Sequence, residues 1–341
     1  MPVIGHGTPR SSRKIEVPSK AVIRYCDLWR QIKRLLGGSA VAKRGPVELN
    51  PTQLSAMTRI FSSAVFREMA KKGRSPLFAR LFELTGIADR CVDETTVGGA
   101  FEATFAILKA AGRRDEYIYR SALTHNILLG KHSLNTACML TEFRAGACKA
   151  DVAILNGTAT VYEIKSERDS LYRLANQIEN YKKVFAKVYV IASEGHVKGV
   201  IDTVPEDVGV MMLGSRYRIT TVREAEDRPD RICPATVFEG LRSAEAVAIL
   251  KRLKVAVPSV PNTQRHAAMR AAFAQLDPTA VHYAMVTTLK GTRDLAPLSD
   301  LIDHLPRSLH AAALSIQVRR ADHNRIVEAV STPLCAAKVW A

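Results

Sequence analysis

Three charged residues, Asp151, Glu163 and Lys165, lie in a stretch whose pattern predicts a β-hairpin. Two apolar runs flank Asn156 and Gly157, a dipeptide that is typical of tight turns between paired strands. Because side chains alternate between the two faces of a strand, Glu163 and Lys165 point to the same face. Two carboxylates and a lysine on one face are the groups that a divalent-metal site for a phosphate requires.

The register of this hairpin decides whether the two carboxylates share a face. A two-residue loop at the Asn-Gly turn would pair Asp151 with Tyr162, and Asp151 would then lie on the face opposite to Glu163. The metal-site hypothesis therefore requires an odd number of loop residues, or a bulge, near the turn. A left-handed conformation at Gly157 would supply it.

A helical pattern follows the hairpin and brings further polar groups. Residues 171–185 place apolar side chains on one stripe, which predicts a helix packed on the sheet. Arg173, Gln177 and Tyr181 recur every four residues along the edge of that stripe. Their side chains therefore line up and can face the strand that carries Glu163 and Lys165. Residues 187–192 then predict another strand.

The motif Asp151-(x11)-Glu163-x-Lys165 resembles that of the PD-(D/E)xK nuclease superfamily. The Gln-x-x-x-Tyr sequence that follows it is similar to the motif of RecB-type nucleases. Ala150 stands where the superfamily usually has proline. The resemblance covers roughly residues 113–215 and extends to uncharacterised bacterial and prophage proteins. It implies an α/β fold with a restriction-endonuclease-like mixed sheet core, of element order αβββαβ, flanked by helical N- and C-terminal regions.

The resemblance also implies a set of metal ligands. Asp151 and Glu163 would bind Mg²⁺ or Mn²⁺, with the main-chain carbonyl of Ile164 as a further ligand. Many relatives add an acid from the first helix of the core, and two residues of this sequence compete for that role. Glu142 is slightly favoured because it lies closer to Asp151 in a strand-like segment, and Glu116 at the start of a predicted helix is the alternative.

The remaining groups would act on water and phosphate. By the same resemblance, Lys165 would position or help deprotonate the attacking water and offset phosphate charge. Gln177 would orient the water or the lysine, Tyr181 would touch a phosphate, and Arg173 would meet another phosphate or the carboxylates. We expect Lys165→Ala and Asp151→Asn to abolish cleavage at little cost in stability, because neither side chain is expected in the core.

The charge of the chain favours a polyanionic partner. The 341 residues carry a net charge of +16, and residues 1–75 contain fifteen Lys and Arg against four acidic residues. Nucleic acid, with DNA favoured, is the partner that such a surplus predicts. Candidate contacts in this region are Lys33, Arg34, Lys71 and Lys72. Charged, solvated faces around a helical core would explain the same composition.

The sequence predicts three regions and a cytoplasmic location. We expect a basic, mostly helical region at 1–112, a nuclease-like core at 113–222 and a helical region at 223–341, with an edge strand near 208–213. No apolar run approaches the length of a membrane span, the first twenty residues are polar and basic, and the six cysteines are scattered. These features predict a reduced, cytoplasmic protein that does not enter a membrane.

Two functions are compatible with this pattern. The first is a Mg²⁺-dependent nuclease, with phage defence or mobile-element biology among the compatible settings. The second is a nucleic-acid-binding or regulatory protein on a nuclease-derived scaffold without catalysis. The complete set of acids and lysine favours the first, whereas the basic charge fits both. The sequence contains no Walker-type glycine loop and no dinucleotide-binding fingerprint.

Overall fold

A six-stranded mixed sheet, with its strands in chain order from one edge to the other, forms the centre of the computed structural model. The structure describes residues 49–87, 95–110, 112–316 and 318–341, so Lys33 and Arg34 lie outside the described residues. The strands are β1 (Cys138–Ala145), β2 (Cys148–Asn156), β3 (Thr158–Lys165), β4 (Lys187–Ala192), β5 (Gly209–Leu213) and β6 (Ile219–Arg223). Pairing is parallel for β3–β4 and β4–β5 and antiparallel for the other three neighbouring pairs.

The turn between β2 and β3 has the register that the metal-site hypothesis requires. Asn156 pairs with Thr158, which leaves Gly157 alone in the loop with a φ of 75°. The pairing continues to Val152 and Tyr162, so the next position along the ladder places Asp151 opposite Glu163. The predicted odd loop with a left-handed glycine is confirmed.

The other edge of the sheet differs from the prediction. The strand predicted near 208–213 is β5, but it lies inside the sheet because β6 pairs with it. The five residues of β6 are mostly exposed and polar, and a turn at residues 214–218 separates them from β5. A short edge strand buries little apolar surface, so it lacks the alternating apolar signal from which strands are predicted.

Helices pack on both faces of the sheet. Gln177 and Tyr181 of the helix Leu174–Lys182 bond to side chains of β3 on one face, and His282 of the helix Pro278–Thr292 lies 3.1 Å from the hydroxyl of Thr158 on the other. β3 and β4 are almost entirely buried between these layers, as expected for strands covered on both sides. The chain therefore has a mixed α/β fold, and residues Leu49–Ala341 form one compact unit. The division at residues 112 and 222 stays a prediction.

The helices are α1 (Pro51–Ile60), α2 (Ser63–Lys72), α3 (Pro76–Leu84), α4 (Val97–Leu108), α5 (Glu116–Leu123), α6 (Leu129–Lys131), α7 (Leu174–Lys182), α8 (Val197–Thr203), α9 (Pro234–Glu239), α10 (Ser243–Arg252), α11 (Asn262–Ala274), α12 (Pro278–Thr292), α13 (Ser299–His304), α14 (His310–Ser315), α15 (His323–Ser331) and α16 (Leu334–Ala337). Five π-helical residues, Thr124–Leu128, join α5 to α6. Within the described ranges, no helix combines the length and apolar character that crossing a membrane requires.

The start of α5 is fixed to the far side of the sheet by a buried arginine. The guanidinium of Arg114 donates to the carbonyl oxygens of Leu213, Gly214 and Ser215 at 2.9–3.0 Å. Asp115 then caps the helix by accepting from the main-chain N–H of Ile118. These bonds set the position of Glu116, the first residue of the helix.

Candidate active site

Asp151 and Glu163 lie on one face of the β2–β3 hairpin. Beyond the pair of Val152 and Tyr162, the Oδ2 atom of Asp151 accepts a hydrogen bond of 2.8 Å from the main-chain N–H of Ile164. The aspartate therefore replaces a ladder hydrogen bond at the place where the hairpin pairing ends. Ile164 is brought to the site as predicted, but the contact that the structure shows is through its N–H. A role for its carbonyl as a metal ligand stays a prediction.

Three carboxylates from three different elements meet beside the hairpin. Ligand oxygens of Glu116, Glu142 and Asp151 all lie within 4.8 Å of one another. The ladder between β1 and β2 places Glu142 opposite Asp151, and Glu116 comes from the start of α5. The two acids that competed in the sequence are thus both present. No local sequence pattern reveals this, because α5 reaches β2 only through the tertiary fold.

The backbone at Glu142 has an unusual conformation. Its φ is 53°, in the left-handed region that residues other than glycine rarely adopt. Such a conformation costs about 1–3 kcal/mol and persists only where the surrounding structure enforces it. Here the regular pairs on either side, Thr141 with Val152 and Phe143 with Ala150, hold it in place. The strain turns a carboxylate towards Asp151.

Burial and neighbouring charge disfavour the ionised form of Asp151. Burial is the larger cause, the charge of Glu163 adds to it, and together they raise the pKa of Asp151 to about 8. The N–H of Ile164 and the charge of Lys165 lower the pKa only in part. A carboxylate in this setting gains from a nearby cation, since a cation stabilises the charged form.

Basic side chains already pair with the two glutamates at the rim. Arg120 bonds to Glu116 one turn away on α5, and Lys149 lies 3.7 Å from Glu142. Both glutamates are exposed, so these pairs are open to solvent and contribute little to stability. They can exchange for a metal ion without a rearrangement of the core.

Glu163 belongs to a second, buried group rather than to the cluster of three carboxylates. Its Oε1 accepts from the Nζ of Lys165 at 2.7 Å, and its Oε2 accepts from the hydroxyl of Tyr181 at 2.6 Å. The lysine also donates to the Oε1 of Gln177 at 3.0 Å. Glu163 and Lys165 are only 1% and 6% exposed. The sequence predicted that the side chains of Asp151 and Lys165 both lie outside the core, and this is wrong for Lys165.

Tyr181 is a further member of this buried group. It is fully buried, and its hydroxyl lies 2.8 Å from the carbonyl oxygen of Lys149 as well as near Glu163. Burial raises its pKa, and the charge of Glu163 raises it further, so the hydroxyl stays protonated. In the structure the hydroxyl bonds to Glu163, and the predicted contact of Tyr181 with a phosphate stays a prediction.

The predicted nucleic-acid contacts that fall within the described ranges, Arg173, Lys71 and Lys72, lie at exposed positions. Arg173 directly precedes α7, one turn before Gln177, and its side chain is exposed. Lys71 and Lys72 are exposed in the last turn of α2. Sequence reasoning missed Asn180, whose side-chain oxygen accepts from the N–H of Ala147 and whose amide lies against the turn between β1 and β2. Asparagine on a helix gave no signal for such a distant contact.

Comparison with known proteins identifies the family. The profile of the family described as bacteriophage P4 protein cII matches residues 109–294, which is more than half of the chain. The chain therefore belongs to this family, and the match includes the whole candidate site together with α9 to α12.

Two individual proteins are similar over shorter stretches. Protein cII of Enterobacteria phage P4 is 36% identical over 108 residues, which are 31% of this chain and 40% of that protein. The chain thus spans less than half the length of this relative. The SPO1766 protein of unknown function from Silicibacter pomeroyi has a TM-score of 0.27 and 18% identity, covering 40% of this chain and 88% of that chain.

Proposed function

We propose that the protein is a metal-dependent nuclease that hydrolyses phosphodiester bonds of nucleic acid, with DNA as the favoured substrate. The observation that carries the proposal is the cluster of three carboxylates around Asp151, together with the buried Lys165 whose charge acts on that aspartate. The element order from α5 through β1, β2, β3 and α7 to β4 supports a restriction-endonuclease-like core. The sequence resemblance and the arrangement of groups thus support the same chemistry.

The donor set suits Mg²⁺ or Mn²⁺. Both ions prefer oxygen ligands, and Glu116, Glu142 and Asp151 offer carboxylate oxygens close enough to share one ion. The raised pKa of Asp151 reflects a negative charge that lacks full compensation in the protein alone. A bound ion would lower the pKa of a bound water and neutralise charge that develops on the phosphate. Glu163 would join the ligands only by exchanging its bond with Lys165.

Lys165 is positioned for work on water or phosphate. Its ammonium group has three N–H bonds, and two are used by Glu163 and Gln177. These two bonds fix the direction of the third, which is available for the attacking water or for a phosphate oxygen. After losing a proton at Nζ, the same group could accept one from that water. The bond between Lys165 and Gln177 supports one of the two roles predicted for Gln177, that of orienting the lysine.

A second function, nucleic-acid binding or regulation without catalysis, is favoured by one observation. Both oxygens of Glu163 are bonded inside the protein, and the side chain is almost completely buried. A carboxylate held in this way is a structural partner of Lys165 and Tyr181. On a nuclease-derived scaffold, the basic surface would then bind nucleic acid and the strand ends would serve stability alone.

A cleavage assay distinguishes the two. The protein is incubated with plasmid, linear duplex, single-stranded DNA and RNA, each with Mg²⁺, Mn²⁺ or EDTA. We expect metal-dependent cleavage that Asp151→Asn reduces by orders of magnitude and that the exposed control Asp303→Asn leaves unchanged. Equal activity in wild type and Asp151→Asn, or no cleavage of any substrate, would favour the non-catalytic function.

A further inference from the structure

A second basic surface lies outside both the candidate site and the N-terminal region. Residues 246–276 contain five Lys and Arg and no Asp or Glu. All five cationic side chains are exposed. We call this the α10–α11 basic surface, and its members are Lys251, Arg252, Lys254, Arg265 and Arg270. Five like charges without an acid between them in the sequence repel one another, and an anionic partner would relieve this repulsion.

The helix α11 is held to the protein by a narrow stripe. Met269 and Phe273 are buried, and the ring of Phe273 lies 5.3 Å from that of Phe238 in α9. The rest of the helix faces solvent with polar and small side chains, including Asn262, Thr263, Gln264 and Arg265. The exposed side carries cations and hydrogen-bonding groups, which are the groups that contact the phosphates of a nucleic acid.

One acidic residue connects this surface to the candidate site. Glu239, at the end of α9, lies 3.2 Å from Arg270 and 3.5 Å from His266 of α11, and 3.9 Å from Arg144 of β1. Arg144 is two residues from Glu142 and is 60% exposed. Arg270 is therefore linked through Glu239 to Arg144 of β1, two residues from Glu142. A polyanion lying on α11 would extend towards this arginine.

We infer that the α10–α11 basic surface binds the phosphate backbone of the nucleic acid that reaches the candidate site. The identity of the partner rests on the proposed function. Sequence-independent binding follows, because phosphates are the same in every sequence. An anionic membrane fits less well, since a helix that lies on a membrane presents an apolar face and the large apolar side chains of α11 are buried.

The test compares two variants with equal change of charge. The first replaces Lys251, Arg252, Lys254 and Arg265 by alanine and leaves Arg270 paired with Glu239. The control replaces Lys198, Arg216, Arg320 and Lys338 by alanine, which are also exposed. Binding of the full-length proteins to a duplex of random sequence is measured by fluorescence anisotropy at several salt concentrations. Thermal melting confirms that both variants fold, as exposed substitutions should allow.

The expected result is a loss of phosphate contacts in the first variant alone. Its affinity should fall about tenfold or more, and the slope of log K against log salt should become shallower by about 3, since each lost contact contributes about 0.9. Equal slopes in both variants would overturn the inference, because net charge alone would then explain binding. A wild type that binds no nucleic acid, or a first variant that loses binding only to anionic phospholipid vesicles, would also overturn it.

The result is separable from the failure of the nuclease proposal. If the wild type binds DNA without cleaving it and the slope is reduced in the first variant, the binding role of the α10–α11 basic surface is supported and the nuclease proposal is rejected. If the wild type cleaves DNA and the slope is unchanged in the first variant, the nuclease proposal is supported and the binding role of the α10–α11 basic surface is rejected.

Discussion

Lys165 and Glu163 form a buried ion pair, with 2.7 Å between Nζ and Oε1, at the end of the strand β3. Their side chains are only 8% and 2% exposed, so each charge depends on the other for compensation. Removing one partner of such a pair lowers the free energy of unfolding strongly, whereas replacing both partners together lowers it less. A single substitution of either residue therefore changes stability as well as the proposed activity.

The first prediction concerns this pair. Lys165→Ala should remove cleavage and should also lower the free energy of unfolding by about 3–5 kcal/mol, because Glu163 would be left as an unpaired buried charge. The double variant Lys165→Met with Glu163→Gln should recover much of that stability but no activity. Denaturant unfolding and the cleavage assay measure the two effects. If Lys165→Ala unfolds like wild type, the pair is solvated in solution.

The variant Tyr181→Phe distinguishes two roles of the Tyr181 hydroxyl, orientation of Glu163 and contact with the substrate. The hydroxyl is buried and bonded to groups of the protein itself, so nucleic-acid affinity should not change. Cleavage should fall because Glu163 loses the bond that fixes its Oε2, and stability should fall by about 1 kcal/mol. A weakened affinity with unchanged kcat would instead support the phosphate contact that the motif implies.

The pH dependence of stability reports on Asp151. Its folded-state pKa, about 8, lies above its usual value, so the folded protein holds this proton more tightly than the unfolded chain. The contribution of the protonated group to stability is present below the unfolded pKa and is lost as the pH rises through about 8. In EDTA, wild type should therefore lose stability relative to Asp151→Asn between about pH 4 and pH 8. Parallel curves for the two proteins would contradict the burial of this carboxyl.

Much of the site was predictable because it depends on local rules. The shared face of Glu163 and Lys165 and the alignment of Gln177 with Tyr181 follow from strand and helix periodicity. The odd loop at Gly157 was required by the metal-site hypothesis, because the Asn-Gly turn by itself favours a two-residue loop. The convergence of Glu116 with Glu142 was not predictable, since the position of α5 is set by Arg114 and its contacts with a loop about 100 positions later. The edge strand β6 likewise depends on tertiary packing, which a single sequence does not encode locally.

Metal binding should stabilise the protein in a manner that depends on all three clustered carboxylates. Mg²⁺ or Mn²⁺ should raise the Tm of wild type, and more at pH 8 than at pH 6, since Asp151 must lose its proton to act as a ligand. Glu116→Gln and Glu142→Gln should each reduce the shift, whereas Asp303→Asn should preserve it. An identical shift in Asp151→Asn and wild type would show that the ion binds elsewhere.

The contribution of the N-terminal charge is best tested by removing residues 1–48. A deletion of residues 1–75 would also remove α1 and α2, whose Met57, Ile60 and Phe66 are buried in the core, and would confound binding with unfolding. Residues 1–48 contain ten Lys and Arg, including Lys33 and Arg34, against three acidic residues, while Leu49–Ala341 forms a compact unit of its own.

We expect the shortened protein to keep its melting temperature and its cleavage per bound substrate. Its affinity for DNA should be weaker, with a shallower salt dependence, because fewer phosphates are neutralised. Anisotropy titrations of both proteins at matched ionic strengths give the two slopes. Lys71→Ala with Lys72→Ala in the shortened protein then tests whether α2 contributes further contacts. An unchanged slope after the deletion would show that the surplus charge of residues 1–48 serves solubility rather than binding.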